Sequence, residues 1–535
     1  MPNRLRLLVP IALASLLAVS ACDTARSPHG PTDTFTVIDT EELGGLSPLL
    51  GHGDNGESKI YEGLYRVQEG QDDRIPDAVP VLAVDAPEPV GGDLAHWRVH
   101  TRTGVTFSDG TPFGPADVAA TYNAVVDPAF ASPIAAQFDF IESVQQSGPD
   151  TVDFHLTGPY GDVPHRLFLS IAPARYFREK VPADRSPLAD HPIGTGPYVL
   201  ESLRPDQLVL RARADHRDGT PAVKRFVVRR TDDDRARAAQ LRASADGTRL
   251  PAELAGAVAK DGYRTVTAKS GDWLGITLPS GNRVAGDPAV RLALNLAVDR
   301  QAMVRDILHG GGTPVSTLVT SRYGAAYDRA SEFPFDPAQS ERTLEAAGWR
   351  KGPDGIRAKD GVRAAFPVAY YPTEVVRRDL TMATVAAAQR VGVELEPVPV
   401  EKSTMTASYL TKTSFLLGGG GQPYTLDSQL YPKLHSKYAA PGVGSKWDNV
   451  SDYTDRDVDR ALDAARVETD PAERNALYRE VQVAYRRNPG LLALVSENHT
   501  YVLRPGGWKV GPTALEPHTH GVAWGPWYSL SRWTR

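Results

Sequence analysis

Cys22 is the single cysteine of the 535-residue chain, and its surroundings predict lipidation of its thiol. A basic start and the apolar run 7–19 precede it, and small residues lead up to the thiol. This order is typical of a secretion signal that ends in a lipobox. The apolar run is too short to span a bilayer. We expect residues 1–21 to be a signal peptide and residues 22–33 a lipidated flexible tether; a buried N-terminal helix is the alternative.

Two glycine-rich segments invite comparison with catalytic loops, and both lack the partners that catalysis needs. His-Gly-Gly-Gly at 309–312 is similar to an esterase oxyanion loop, but no Gly-x-Ser-x-Gly elbow occurs in the chain. The run 418–421 is not followed by Gly-Lys-Ser/Thr, so it is not a phosphate loop. No His-Glu-x-x-His motif is present either. The motifs therefore favour binding over catalysis.

His518 and His520 are the residues best spaced to hold a metal ion. The single residue between them places both imidazoles on one side of a strand, where they could chelate. Two nitrogens alone make a weak site, so a pair of solvated histidines is the simpler interpretation. We expect no resident cofactor and keep this pair as an alternative metal site.

Composition predicts an ordinary globular protein. Hydrophobic residues make up 41% of the chain and charged residues 23%, which is typical of that class. The net charge of −6 argues against nucleic acid as a partner, because phosphate binding needs clustered lysine and arginine. The fold cannot rely on disulfides, since there is no second cysteine. The length predicts at least two lobes.

Predicted strands dominate the first half of the chain, and predicted helices with clear caps dominate the second half. Alternating apolar residues predict strands at 35–38, 97–99, 152–156, 208–210 and 226–228. Capped periodic segments predict helices at 287–310, 336–348 and 374–391 and after Asp455 and Asp470. Helix and strand alternate in the second half, which favours an α/β lobe with a largely parallel sheet.

Four segments occur in an order that identifies a family. Tyr-Glu-Gly-Leu at 61–64 is followed by the block 104–118, by Pro-Ile-Gly-Thr-Gly-Pro-Tyr at 192–198 and by the helix start 287–300. Together they resemble the family 5 extracytoplasmic solute-binding proteins of peptide and nickel ABC importers. The resemblance covers most of the chain after the tether. It is specific for the family and not for the ligand.

The residue types in two of these segments have a structural explanation. Asp-Gly-Thr-Pro at 109–112 is turn chemistry, and Phe107 and Phe113 are expected to pack as core residues beside it. Gly194 and Gly196 suit a close backbone approach near a lobe junction.

The resemblance implies an α/β, two-lobed periplasmic-binding-protein-like fold of class II, with an extra subdomain in the first lobe. Residues 34–270 would form the first lobe with its inserted subdomain, and residues 271–498 the second. Residues 499–535 would return to the first lobe. The ligand would lie between the lobes, which close on it by a hinge motion.

The ligand-reading loop implied by the resemblance is 418–431. Peptide-binding members have an aspartate near its start that pairs with the peptide amino group, and that position is Gln422 here. Glutamine forms hydrogen bonds but lacks the charge that an ammonium prefers. Asp427, five residues later, is expected to compensate.

The nickel-binding branch offers a second comparison for this loop. Its Gly-x-Pro-Tyr segment places a tyrosine in the site, and Tyr424 matches that tyrosine. The alternative is a loop tyrosine packed beneath the cleft. The histidine of that branch aligns with Tyr438, and His435 lies three residues earlier. His435 therefore joins the His518/His520 pair as an alternative metal ligand.

Three further residues are site candidates on their chemistry. Trp524 is the terminal tryptophan expected to line the cleft, since flat aromatic walls suit broad-specificity binding. Arg166 and Arg322 could meet a ligand carboxylate.

The resemblance implies a solute-binding lipoprotein of an ABC importer that captures a peptide or peptide-like small solute and performs no chemistry. Its partners would be permease and ATPase subunits, with no nucleic acid. It would be a monomer anchored by lipid on the extracytoplasmic face of the cell membrane. A nickel-chelate receptor is the alternative; an extracellular hydrolase and a receptor used for signalling or adhesion are further ones.

Overall fold

The computed structural model describes residues 33–72, 74–161, 163–420, 424–440, 443–518 and 522–535. The expected signal peptide and the lipidation site Cys22 lie outside the described residues, as does the tether except for its last residue. Gln422 and His520 lie outside them too.

Strands and helices alternate along the described chain. The strands are β1 (Thr34–Asp39), β2 (Tyr65–Val67), β3 (Ala78–Pro80), β4 (Glu88–Val90), β5 (Asp93–His100), β6 (Ile141–Gln146), β7 (Thr151–Leu156), β8 (Tyr198–Arg204), β9 (Gln207–Ala212), β10 (Arg225–Arg230), β11 (Gly247–Leu250), β12 (Arg264–Ala268), β13 (Trp273–Thr277), β14 (Gly312–Pro314), β15 (Arg350–Lys351), β16 (Arg357–Lys359), β17 (Val362–Arg363), β18 (Ala365–Tyr370), β19 (Glu394–Pro399), β20 (Ser414–Gly419), β21 (Leu491–Glu497) and β22 (His499–Leu503). The α-helices are α1 (Pro115–Val126), α2 (Asp234–Ser244), α3 (Ala252–Ala259), α4 (Pro288–Ala297), α5 (Arg300–Asp306), α6 (Pro337–Ala346), α7 (Val375–Arg390), α8 (Ala407–Leu410), α9 (Leu426–Leu434), α10 (Arg456–Val467) and α11 (Pro471–Arg487).

The first lobe is built on a seven-stranded sheet in the order β12-β22-β11-β1-β10-β9-β8. Its central strand β1 is parallel to both β10 and β11. Phe35 and Val37 pack on one face with Trp527, and Ile38 packs on the other with Leu241. Both faces of β1 are covered because successive side chains of a strand point to opposite sides. The carboxyl ends of β1, β10 and β11 therefore lie at one edge of the sheet.

The second lobe is built on a six-stranded sheet in the order β14-β21-β13-β20-β18-β19. The parallel pairs of this sheet are those that β18 forms with β19 and β20, whereas β13 runs antiparallel to β20 and β21. The expectation of a largely parallel sheet is therefore wrong. The reason is connectivity: β13 enters from the first lobe, and the adjacent β21 leads back to it, so the two run in opposite directions.

A four-stranded antiparallel sheet, β4-β5-β7-β6, forms the extra subdomain of the first lobe. Helix α1 covers it, and the rings of Tyr122 and Phe154 meet edge to face with centroids 5.1 Å apart. The predicted turn lies beside α1, with Gly110 at φ 84°. Phe107 and Phe113 are buried there, which confirms them as core residues.

The predicted close backbone approach at two glycines is confirmed in a different place from the one expected. A Cβ atom on either Gly194 or Gly196 would overlap the main chain of Ile60. That segment belongs to the first-lobe core rather than to a lobe junction.

Most predicted helices are confirmed. Four of them begin at an aspartate that caps the first turn, whereas α7 begins after Glu374, whose side chain makes no capping bond. The helix predicted from Asp287 to Gly310 is wrong in its length, because it divides into α4 and α5. Val298 is extended between them, and the Asp299 carboxylate accepts the Ala302 N–H, which starts a second helix. Among the described helices, none combines the length and the apolar character needed to cross a membrane.

Candidate functional site

Two chain crossings connect the lobes within the part of the chain that the structure describes. One runs from the end of β12 at Ala268 to the start of β13 at Trp273, and the other from the end of β21 at Glu497 to His499 in β22. A cavity of about 470 Å³ lies between the lobes and is lined from both. This volume is in the range of sites for small ligands. We call it the main cavity.

The first-lobe wall of the main cavity follows the carboxyl ends of parallel strands. Glu41 lies two residues after the end of β1, Asp234 begins α2 after β10, and Arg249 lies in β11. Ligand sites of open α/β sheets lie at such edges, because the loops after parallel strands converge there.

The second-lobe wall has the same origin. Tyr371 and Glu374 follow β18, and the glycines 418–420 end β20 and continue past it. The rings of Tyr371 and Phe415 meet edge to face at 5.1 Å. A Cβ atom on Gly418 would overlap the ring of His518, so glycine is required for the lobes to approach at this point.

Charged groups of both signs face the main cavity. On the second lobe the Arg377 guanidinium pairs with Glu374 at 2.6 Å and donates to the Leu416 carbonyl at 2.8 Å. On the first lobe burial opposes the charge of Arg249, but the Glu497 and Asp234 carboxylates outweigh it and raise its pKa. The guanidinium groups of Arg249 and Arg377 therefore give the main cavity fixed positive charge.

Glu41 is the acidic group of the main cavity that titrates near neutral pH. Burial raises its pKa to about 7, and the nearby Asp39 carboxylate acts in the same direction. Lys402 and Arg249 act in the opposite direction. A ligand cation beside Glu41 would favour its ionised form and bind it more strongly.

Asp427 lines the main cavity and is already engaged by protein cations. Arg466 binds both of its oxygens, at 2.9 and 3.0 Å. The Tyr160 hydroxyl donates to it at 3.2 Å, and Arg166 of the first lobe lies 3.8 Å away. The structure thus places Asp427 and Arg166, both predicted to contact the ligand, next to each other.

A second acid extends this network across the lobes. Asp139 of the first lobe lies 3.4 Å from Arg466 and 3.1 Å from Lys437, both on the second lobe. We call the set Asp139, Arg166, Asp427, Lys437 and Arg466 the latch. The pairs of Arg166 with Asp427 and of Asp139 with Arg466 and Lys437 join the two lobes and form only when the lobes are close, so they favour the closed state.

The two aromatic candidates are buried. The Tyr424 hydroxyl donates to the Leu515 carbonyl at 2.6 Å, and 1% of the residue is exposed. Trp524 stacks on Tyr528 at 5.2 Å and is also 1% exposed. Both belong to the first-lobe hydrophobic cluster and not to the lining of the main cavity. Their role in binding stays a prediction.

The histidine candidates are in two places. His518 lines the main cavity, with Nδ1 3.6 Å from Asp272. His435 stacks on Tyr431 and lies 3.2 Å from Asp463, outside that lining. Within the described residues no group of three or more His, Cys, Asp or Glu side chains is placed to hold a metal ion.

A buried charge cluster occupies the crossings between the lobes. His499 lies 2.5 Å from Glu516 and 3.6 Å from Asp272, and the Tyr501 hydroxyl donates to Glu516 at 2.9 Å. Burial opposes protonation, but the two carboxylates outweigh it and raise the pKa of His499 to about 9. We call Asp272, His499 and Glu516 the hinge cluster.

Sequence reasoning missed several cavity residues, among them Glu41, Arg249 and Arg377. The signal that could have found Glu41 is its place two residues after the first strand, since ligand sites collect at strand carboxyl ends. Arg249 and Arg377 have no such local signal, because they reach the cavity through the packing of the lobes.

Known proteins match this chain over most of its length. A family described as bacterial extracellular solute-binding proteins, family 5 Middle, matches residues 77–440. Protein XP55 of Streptomyces lividans is 38% identical over 485 residues, which cover 89% of this chain and 85% of that protein.

Two solved structures share the fold. NikZ from Campylobacter jejuni, in complex with Ni(L-His), has a TM-score of 0.85 at 24% identity and covers 94% of this chain and 100% of its own. AppA from Bacillus subtilis, in complex with a nonapeptide, has a TM-score of 0.78 at 20% identity, covering 94% and 98%. The two-lobed fold with a cavity between the lobes agrees with these matches. The family match over residues 77–440 and the similarity to Protein XP55 show that the chain belongs to family 5 of the bacterial extracellular solute-binding proteins.

Proposed function

We propose that this solute-binding protein of an ABC importer captures a small zwitterionic solute, and that a short peptide fits the site best. Proteins of its family work with ABC permeases and ATPases. The observation that carries the proposal is the main cavity, which presents both signs of charge from two facing lobes.

Different groups of the main cavity would bind the two charged ends of a zwitterion. Glu41 would receive the ammonium, because a cation beside it offsets the cost of its burial. Arg249 and Arg377 would receive the carboxylate, since guanidinium groups pair with it through two hydrogen bonds. Tyr371 and Phe415 supply apolar wall area for side chains.

The proposal extends to the organisation of the chain. Residues 34–270 form the first lobe, 271–498 the second, and 499–535 return to the first. Cys22 carries the lipid that holds a monomer on the extracytoplasmic face of the membrane. The protein itself performs no chemistry, and ATP is hydrolysed by the partner subunits.

Native mass spectrometry of the full chain, purified without metal-affinity resin, tests the solute class. A co-purified zwitterionic mass that is released on denaturation supports the proposal. If the protein arrives empty, a pool of random tripeptides is added as the probe. Failure to retain any tripeptide at millimolar concentration overturns the peptide assignment.

A nickel chelate is the second candidate, and His518 is the observation that favours it. Its imidazole lines the main cavity, where it could complete the coordination of a chelated ion. The test is nickel–histidine binding by the full chain and by His518→Ala. Retention of nickel that depends on His518 supports this candidate, and equal binding by both proteins excludes His518 as a ligand.

A further inference from the structure

The amino edge of the first-lobe sheet lies opposite the main cavity, because that cavity follows the carboxyl ends of the same parallel strands. Strand β1 begins at this edge with Thr34, which is paired with Arg225 at the start of β10. The main-chain N–H groups of Lys224 and Arg225 donate to the Asp33 carbonyl at 2.6 and 3.0 Å. The chain that comes from Cys22 therefore enters the fold at the amino edge.

Lysine and arginine side chains are concentrated along the amino edge. Strand β12 begins there with Arg264, whereas β9 and β22 run the other way and bring Arg211 and Arg504 to it. Neighbouring strands lie about 4.8 Å apart, so the row from β12 to β9 is about 25 Å long. We call the following residues the basic edge: Arg211, Lys224, Lys260, Arg264, Arg504 and Lys509.

The side chains of the basic edge keep their charge at the surface. Arg504 is half-buried and the other members are exposed. Lys224 donates to the Pro221 carbonyl at 2.9 Å, and Arg504 donates to the Leu241 carbonyl at 2.7 Å. A carbonyl oxygen satisfies an N–H group but does not cancel the positive charge of its donor.

Several carboxylates near this edge are held by arginines outside the basic edge. Glu201 pairs with Arg225 at 2.6 Å, and Asp261 pairs with Arg242 at 2.8 Å. In the loop 213–218 each aspartate lies within 4 Å of an arginine of the same loop. These pairs leave little negative charge for the basic edge itself.

The charge of the basic edge contrasts with that of the whole chain. Asp33 and Asp246 also lie at the amino edge, and Asp246 accepts the Thr36 N–H at 2.8 Å. Two carboxylates against the six basic side chains leave this edge positive, although the net charge of the chain is −6. A positive surface on a negative protein indicates attraction to an anionic partner.

The place where the chain enters the fold favours an anionic membrane as that partner. The segment from Cys22 to Asp33 can span at most about 40 Å, so a lipid on Cys22 would keep the basic edge within reach of the bilayer. Anionic headgroups attract lysine and arginine within about 10 Å of the surface. Trp508, which precedes Lys509 and is half-buried, is a residue type enriched at membrane interfaces.

We propose that the basic edge docks the first lobe on the anionic lipid surface of the membrane that holds the anchor. This rests on the proposed function through the lipid on Cys22, and it adds an orientation. The amino edge of the sheet then faces the membrane. The main cavity, at the carboxyl edge, faces away from the membrane and towards the solution that carries the solute.

Energy transfer from a dye on the protein to labelled lipid tests this orientation. Once Cys22 is lipidated, an introduced cysteine is the single free thiol. Ala243→Cys places the dye near the basic edge, and Ala386→Cys is the matched position on α7 of the second lobe; both alanines are exposed on helices. The lipidated protein is reconstituted on vesicles of phosphatidylglycerol and phosphatidylcholine in equal parts, or of phosphatidylcholine alone.

The expected result is a dependence on lipid charge at one position. Transfer from position 243 should be about twofold higher on the anionic vesicles than on the neutral ones, and transfer from position 386 should not rise. The difference at position 243 should disappear at about 0.5 M sodium chloride, because salt screens exposed charges.

Substitution tests the residues of the basic edge. The triple variant Lys224→Gln, Arg264→Gln and Lys509→Gln should lose the difference between the two kinds of vesicle, since each basic residue near an anionic surface strengthens docking about fivefold. All three side chains are exposed, so the fold should be kept, and circular dichroism checks this. The matched control neutralises three exposed arginines of the second lobe and should keep the difference: Arg342→Gln, Arg390→Gln and Arg460→Gln.

The outcomes separate this inference from the proposed function. Equal transfer from position 243 on both kinds of vesicle overturns docking by the basic edge and leaves the anchor and solute capture intact. An equal loss in the control triple variant overturns it as well, because net charge would then set the attraction. Release of the protein from phosphatidylcholine vesicles, where the lipid alone holds it, overturns the anchor and this inference with it.

Discussion

The hinge cluster and the latch both use charge where the two lobes meet, but they differ in burial. The side chains of Asp272, His499 and Glu516 in the hinge cluster are 0–2% exposed. In the latch, Asp139 is 22% exposed and Lys437 49%. Charges in a dry interior cannot be separated without leaving an uncompensated ion, whereas exposed charges are rehydrated. The hinge cluster is therefore a permanent part of the fold, and the outer latch pairs can break when the cleft opens.

The largest expected effect follows from removing the hinge histidine. His499→Gln leaves the Asp272 and Glu516 carboxylates buried without their cation, which should cost about 3–5 kcal/mol in the free energy of unfolding. Urea denaturation measures it. His100→Gln is the matched control, because His100 is 36% exposed beside Asp85 and should change stability by less than about 0.5 kcal/mol. A loss below about 1 kcal/mol at His499 would show that the cluster is not a buried ion network.

The same cluster predicts how stability depends on pH. The pKa of His499 is raised to about 9 by Asp272 and Glu516, with Glu497 and His518 also facing the cluster. Its contribution, about 3 kcal/mol, is present below pH 6.5 and is lost as pH rises through 9. Thermal unfolding from pH 6 to 10 should show this decline, and His499→Gln should remove it. An unchanged slope in the variant contradicts the assignment.

The latch should affect closure more than folding. Asp427→Asn removes the charge that holds Arg466 and Arg166, so the closed state loses part of its advantage. We expect solute affinity to fall by about 1–2 kcal/mol and the radius of gyration to rise. Calorimetry with a retained peptide and small-angle X-ray scattering measure the two. Unaltered affinity would mean that these ion pairs do not stabilise closure.

Glu41 differs from the hinge cluster and the latch because its own charge changes near neutral pH. Its pKa is raised to about 7, chiefly by burial, so the carboxylate gains its charge as pH rises through neutrality. Affinity for a solute with a free ammonium should therefore increase by about tenfold between pH 6 and 8. Glu41→Gln should bind with little dependence on pH over this interval, and a persistent increase would place the ammonium elsewhere.

The smallest effect is expected at the exposed end of the latch. Lys437→Gln breaks an ion pair whose lysine is half exposed, and such pairs contribute about 0–0.5 kcal/mol at ordinary salt. Its effect on affinity should disappear at 0.5 M sodium chloride. An effect as large as that of Asp427→Asn would remove the distinction between the buried and exposed parts of the latch.

Local features were predictable from the sequence, and features that depend on neighbours were not. The caps at Asp287, Asp336 and Asp470 are visible because an aspartate bonds the next few N–H groups of its own helix. The break at Val298 was missed, since periodicity continues through it. The parallel second-lobe sheet was predicted wrongly, because strand direction there depends on where the chain crosses between lobes.

The sequence by itself determined the family, the caps and turns, and the glycine loop 418–420 that reaches the cavity. Each of these rests on residues close together in the chain. Only the tertiary structure decided which charges face the solute: it placed Glu41 and Arg377 across one cavity, paired Asp427 with Arg466, and buried Tyr424. Charge and burial depend on residues that are far apart in the chain, and their effect on a pKa or a binding energy exists only once the lobes have packed.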